Sequence, residues 1–136
     1  LVMCHMERAL YRDPGQDLDG LWWDLVERYQ SLRRPDGRRA PDWASKVHFS
    51  TAPVYYHNYM LGEMMASLLQ AALRRELGDG PGAAARLVAS PRVGEFLVER
   101  LYRDGRAHDW RETLRRATGG ALGAEAFVAG LAAAGA

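Results

Sequence analysis

Between Val54 and Leu73 the only charged side chain is Glu63, and apolar or small residues occupy almost every face of a helix drawn through the segment. A helix that is apolar all round is either covered on every side by protein or spans a membrane. His57, Asn58, Glu63 and Gln70 interrupt the run too often for a span, which needs about twenty mainly apolar residues. The segment therefore reads as a buried helix. Gly78 follows Leu77 as a C′ residue, and Arg74 and Arg75 suit the negative end of the helix dipole.

The remaining sequence offers this helix few neighbours. Met3 to Tyr11 reads as the end of a helix, stopped by the turn signal Asp13-Pro14-Gly15. Asp17 is placed to cap a second helix, in which Leu18, Leu21, Trp22, Leu25, Val26, Tyr29 and Leu32 keep the three-and-four spacing of one apolar face. Trp23 lies off that stripe, so it is either exposed or packed on a second side, where its indole N–H needs a partner. Ser31 to Ser45 has no period and reads as a loop. After Gly80-Pro81-Gly82 come three shorter helices: Ser90-Pro91 opens one with Val93, Phe96, Leu97 and Leu101 as its face and Gly105 as its stop; Asp109-x-x-Glu112 resembles a capping box before Trp110, Leu114 and Ala117; Phe127, Val128 and Leu131 mark the last. With no alternating strand pattern and no internal repeat, the expected class is all-α, as one region over residues 1–136. Because so few elements surround a helix needing cover on every side, the expectation is a helical segment of a larger fold, or a chain with an obligate partner.

Composition excludes several functions. A net charge of +1 supplies no long-range field for nucleic acid or an anionic membrane, so neither is expected as a partner. The single cysteine, Cys4, rules out an internal disulfide and a thiolate metal cluster. His-Glu-x-x-His does not occur, His48 and His57 stand nine apart, and no metal site is expected within the chain. A Gly-rich phosphate loop and a nucleophile elbow are also missing. No charged stretch followed by an apolar one, the pattern of a signal peptide, opens the chain, and Leu1 in place of methionine suggests a preceding segment.

What the sequence does offer is binding chemistry around Lys46, the one lysine beside seventeen arginines. An ammonium is a compact charge on a flexible stem, whereas a guanidinium is a rigid fork, so a site can tell them apart. Lys46 can hold a carboxylate, and His48 can donate to a developing oxyanion. Tyr55, Tyr56 and Tyr59 add phenol donors at the start of the apolar helix. Helical spacing puts Tyr56 and Tyr59 on one face and pairs Tyr55 with Tyr59, so one of the three should point partly elsewhere.

The order Trp22-Trp23-Asp24-Leu25, Tyr29-Gln30-Ser31-Leu32, Pro35, Asp42, Lys46-Val47-His48, Pro53 and the tyrosines resembles the C-terminal part of the angiotensin-converting-enzyme-like zinc metallopeptidases, the helical gluzincins that include the oligoendopeptidases. Val93-Gly94, Gly105, Trp110 and Thr118-Gly119 are similar to that family's final helices, so the resemblance covers nearly the whole chain. It implies a two-lobed α-helical fold acting on short peptides. In that setting Lys46 binds the substrate's C-terminal carboxylate, His48 contacts the peptide near the scissile bond, Tyr56 binds the same carboxylate and Tyr59 stabilises the tetrahedral oxyanion. Val54 and Tyr55 intervene after Pro53 where the family has a tyrosine directly, so Tyr55 competes with Tyr56 for its role. Asn58 stands where chloride-dependent members carry arginine. His48-Phe49 resembles the oligoendopeptidase branch, which leaves peptidyl-dipeptidase and oligopeptidase action both open.

The same resemblance implies zinc in the full-length enzyme, held by residues upstream of Leu1 in the missing N-terminal part of the same protein. The isolated chain is then expected to be inactive. The rival expectation is a non-catalytic helical interaction module, or a degenerate remnant of such a peptidase. An in-frame His-Glu-x-x-His encoded upstream of Leu1 separates the first from the second.

Overall fold

The structure, a computed structural model, describes residues 1–78, 87 and 90–134. Among them every regular element is helical, as the lack of alternation requires. The chain divides into two compact units, Leu1–Leu61 and Gly62–Ala136.

The first unit holds α1 (Val2–Arg12), α2 (Leu18–Gln30), a 3-10 turn (Asp42–Ser45), the short α3 (His48–Thr51) and the first turn of α4 (His57–Leu77). Its helix ends follow local chemistry. Past α1, the Gly15 N–H donates to the Asp13 carboxylate at 3.1 Å, closing the turn over Pro14. Asp17 caps α2 by accepting the Gly20 N–H at 3.0 Å. A Cβ at position 20 would lie 2.5 Å from the Asp17 carboxylate, so glycine is what lets this cap close. Ser31 ends α2 in the left-handed conformation, φ +55°. That stop comes before Leu32, which is exposed and does not extend the apolar face as its spacing suggested.

Val2, Met6, Trp22 and Val26 form the core of this unit, with Met3, Leu10, Leu18, Leu21, Leu25 and Phe49 packed against it. Trp23 packs on the second side of α2, and its indole N–H donates to Asp42 Oδ2 at 3.2 Å.

The second unit contains the rest of α4, α5 (Pro91–Leu97) running into a π turn (Val98–Tyr102), α6 (Trp110–Thr118) and α7 (Glu125–Ala134). Ala72, Leu73 and Phe96 are buried together, and Leu114 and Ala117 are buried on α6. Pro91 opens α5 as expected, but the Ser90 hydroxyl makes no cap bond. Half of the proposed capping box forms at α6: Asp109 accepts the Arg111 N–H, while Glu112 turns away to Arg115. Gly78 (φ +96°) and Gly119 (φ +75°) end α4 and α6 in conformations that side chains resist. The Gly80-Pro81-Gly82 turn lies outside the described residues.

One sequence expectation about the apolar run, where its helix begins, needs correction. Its helix starts at His57 and continues to Leu77, so Tyr55 and Tyr56 precede it. The cause is Val54, whose φ of +58° is incompatible with a continuous right-handed helix. Within this chain the helix is covered only in part: Ala72 and Leu73 are its buried residues, while Tyr59 and Met60 are exposed. No helix among the described residues is long and apolar enough to cross a membrane. In chemical denaturation of this chain, Met6→Ala is expected to cost about 2–5 kcal/mol, the range for a fully buried side chain. Met60→Ala should change stability by less than about 0.5 kcal/mol, as surface substitutions do. Equal losses at the two positions would show that α4 is covered after all.

Candidate functional site

Lys46, His48 and the tyrosines are delivered by the segment from the 3-10 turn to the first turn of α4, all within the first unit. The turn is tied to α2 in both directions. Trp23 donates to Asp42, and the Trp43 indole N–H donates to Asp19 Oδ1 at 3.0 Å. Asp42 also takes a two-pronged guanidinium contact from Arg38, through Nε at 2.7 Å and through Nη2. That contact, more than the neighbouring Trp23 N–H and Lys46 charge, holds the Asp42 carboxyl below the usual carboxylate range.

His48 opens α3, and three tyrosine rings surround its imidazole. Tyr55 stacks on it with centroids 5.5 Å apart and planes 11° from parallel; Tyr56 lies at 5.0 Å, tilted; Tyr59 lies edge-on at 5.6 Å. The Tyr59 hydroxyl and His48 Nε2 are 3.1 Å apart, within hydrogen-bond distance. Phe49 meets Tyr56 edge to face at 5.0 Å. Helical spacing suggested that one tyrosine would point elsewhere, yet all three reach His48. Tyr55 and Tyr56 sit on the turn before α4, where the face rule does not apply.

Tyr56 and His48 are half-buried, while Tyr55 and Tyr59 are exposed. Burial pushes the Tyr56 phenol above its ordinary pKa, against the opposing pull of the His48 backbone.

Lys46 takes another direction. Its ammonium lies 5.4 Å from the centroid of the buried Trp22 ring, a cation–π contact, and it joins none of the ion pairs among the described residues. The nearby hydroxyls are committed: Ser50 and Thr51 both donate to the Val47 carbonyl, at 3.1 and 2.8 Å. The cluster thus offers phenol and imidazole hydrogen-bonding groups and, against Trp22, an ammonium.

Sequence reasoning missed Glu7. It is buried on α1, and its Oε1 accepts the Val54 N–H at 2.5 Å across 47 residues of chain. The available signal was a carboxylate next to Met6, one place off the face that Met3, Met6 and Leu10 share. Nothing local revealed its partner. Trp22 as the resting place of Lys46 was also missed, since its position on the apolar stripe accounts for it as core.

A metal is not supported by these residues: among the described residues no three His, Cys, Asp or Glu side chains gather into a possible metal site.

Residues 15–134 match the family described as carboxypeptidase Taq (M32) metallopeptidase. The thermostable carboxypeptidase 1 of Pyrococcus furiosus is 23% identical over 131 residues, which cover 94% of this chain and 26% of that protein. The chain therefore spans about a quarter of that relative's length. No solved structure matches it. The metallopeptidase character implied by the residue pattern agrees with the family match, which carries the carboxypeptidase Taq name and not that of the angiotensin-converting-enzyme-like or oligoendopeptidase branches.

Because the folded Tyr56 pKa lies above its unfolded value, the folded chain binds the proton more tightly. The associated stability is complete below the ordinary tyrosine pKa of about 10 and is lost as pH rises through the folded value. Alkaline unfolding followed by circular dichroism should show this loss, and Tyr56→Phe should flatten it. An unchanged alkaline limb in the variant would assign the loss to another group.

Proposed function

This chain belongs to the carboxypeptidase Taq (M32) metallopeptidase family, and from that premise we propose that it forms the C-terminal, substrate-binding part of a zinc peptidase that shortens small peptides from the carboxyl end. The observation that carries this reading is the Tyr59 hydroxyl and His48 imidazole at 3.1 Å on an open aromatic surface. A phenol there, freed from the imidazole, donates to the oxyanion that develops when a peptide carbonyl becomes tetrahedral. Such preorganised donors act where charge appears in the transition state. His48, half-buried among the rings, orients Tyr59 in the free state and contacts the peptide near the scissile bond in the bound one.

Lys46 holds the peptide's terminal carboxylate. Resting on Trp22, its ammonium gains about 0.5–2 kcal/mol from the ring. A hydrogen bond to a charged group contributes about 1.5–3 kcal/mol, so an arriving carboxylate competes well for the lysine. The half-buried Tyr56 phenol is the second donor to that carboxylate, with Tyr55 as the other tyrosine in reach of the role. No three His, Cys, Asp or Glu side chains gather into a metal site among the described residues, so on this reading other residues of the same protein would hold the zinc that polarises the peptide carbonyl, and the chain alone is inactive. The partners of this reading are a short peptide and the remainder of the polypeptide, with no nucleic acid and no membrane.

The test uses the full reading frame, purified and assayed on short peptides with free or amidated C-termini. Tyr59→Phe should lower kcat on the order of a hundredfold or more with little change in KM. Lys46→Met should raise KM for free-carboxylate peptides and leave amidated ones unaffected. A His48→Ala enzyme with unchanged hydrolysis would remove the role given to that residue. Product masses assign the mode of action: single residues indicate a carboxypeptidase, dipeptides a peptidyl-dipeptidase, and internal fragments an oligopeptidase. If the full-length protein hydrolyses none of them, the exposed residues of α4 favour the helical interaction module instead.

A further inference from the structure

We infer that Glu7 is a positioning residue for the peptide site: its buried carboxylate clamps Val54 in the left-handed turn from which Tyr55 and Tyr56 reach His48. The kinetic consequence rests on the peptidase reading above, but the clamp itself does not.

Val54 is where the backbone is strained. A β-branched residue at φ +58° is an outlier that persists only when its surroundings enforce it. Side-chain packing does not, because Val54 is 60% exposed. Pro53 before it has no N–H to donate. The contact that fixes the position is the Val54 N–H donated to Glu7 Oε1 at 2.5 Å.

Glu7 is equally hard to explain without this role. It is 6% exposed, beside the fully buried Met6, and it belongs to none of the ion pairs among the described residues. A carboxylate without a cation is costly to bury, and its bond to the turn offsets part of that cost. A residue that breaks the local rule for a helix core in this way is expected near function.

The turn sets the site directly. Immediately after Val54, the Tyr55 carbonyl accepts the Asn58 N–H at 2.9 Å and the Tyr56 carbonyl accepts the Tyr59 N–H at 3.3 Å, leading into α4. Rotating φ of Val54 back to a right-handed value would carry both tyrosine rings away from His48, against which they now lie at 5.5 and 5.0 Å. Glu7 thus acts on the site through the backbone, from a helix that contributes none of the rings.

The experiment combines substitutions at both ends of the clamp in the full-length enzyme. Glu7→Ala should lower kcat for a short peptide on the order of ten- to a hundredfold, as misplaced site groups do. Glu7→Gln keeps an acceptor and should retain most of the activity. Glycine adopts positive φ without enforcement, so Glu7→Ala/Val54→Gly should recover to within about fivefold of Val54→Gly alone, the coupling expected of residues in contact. A Glu7→Ala loss that is just as large in the glycine background overturns the clamp. In parallel, hydrogen exchange by mass spectrometry should show protection over residues 51–58 that is lost in Glu7→Ala and kept in Glu7→Gln, with α2 unchanged in both. Unchanged protection over 51–58 in Glu7→Ala also overturns it. Should the wild-type enzyme hydrolyse no peptide, the peptidase reading falls, and the exchange measurement still decides the clamp.

Discussion

Two indole–carboxylate hydrogen bonds, running in opposite directions between α2 and the 3-10 turn, fix where the site segment begins. Trp23 on α2 donates to Asp42 of the turn, and Trp43 of the turn donates to Asp19 on α2. Each indole has a single N–H, and leaving one buried and unpaired costs about 1–3 kcal/mol, so slippage of the turn would lose both bonds together. The irregular stretch between them is tied back to the same helix: the Arg34 backbone N–H donates to Glu27, and its guanidinium donates to the Gly20 carbonyl and Asp24. Lys46 follows the turn directly and His48 comes two residues later. Their placement is a consequence of α2 more than of their own surroundings.

The rings of the site could not organise themselves. An aromatic pair contributes about 0.5–1.5 kcal/mol beyond burial, while fixing one residue's backbone costs about 1–2 kcal/mol. Four rings within the twelve residues 48–59 therefore need anchors elsewhere, especially with Tyr55 and Tyr59 exposed. Different elements supply them: α2 for Lys46 and His48, α1 through Glu7 for Tyr55 and Tyr56, and α4 for Tyr59.

How far this arrangement could be read from the residues depended on the range of the interaction. The Asp17 cap, the Asp13-Pro14-Gly15 stop, the Gly78 end of α4 and the all-helical class of the described residues rest on chemistry within a few positions, and each formed. Val54 defeated periodicity, since a left-handed valine has no local signature and is specified by a carboxylate 47 residues earlier. The same event moved Tyr55 and Tyr56 out of the helix and brought three tyrosines onto one histidine where spacing allowed two. Trp22 was placed correctly in the core, but its second use, as a surface for the Lys46 ammonium, follows from tertiary packing alone.

Helix α4 joins two different uses of apolar surface. Near its C-terminal end Ala72 and Leu73 are buried with Phe96, which is ordinary core packing. At its start the exposed residues carry different chemistry: Tyr59 has a hydroxyl that already meets an imidazole, whereas Met60 has no polar end. A phenol beside His48 can exchange one hydrogen-bond partner for another when a ligand arrives, so its exposure suits a binding surface. A thioether has nothing to exchange, and its exposure is relieved only by apolar cover. Under the peptidase reading proposed above, the two neighbours would have different companions, a peptide at Tyr59 and further polypeptide at Met60, and one turn of helix carries both.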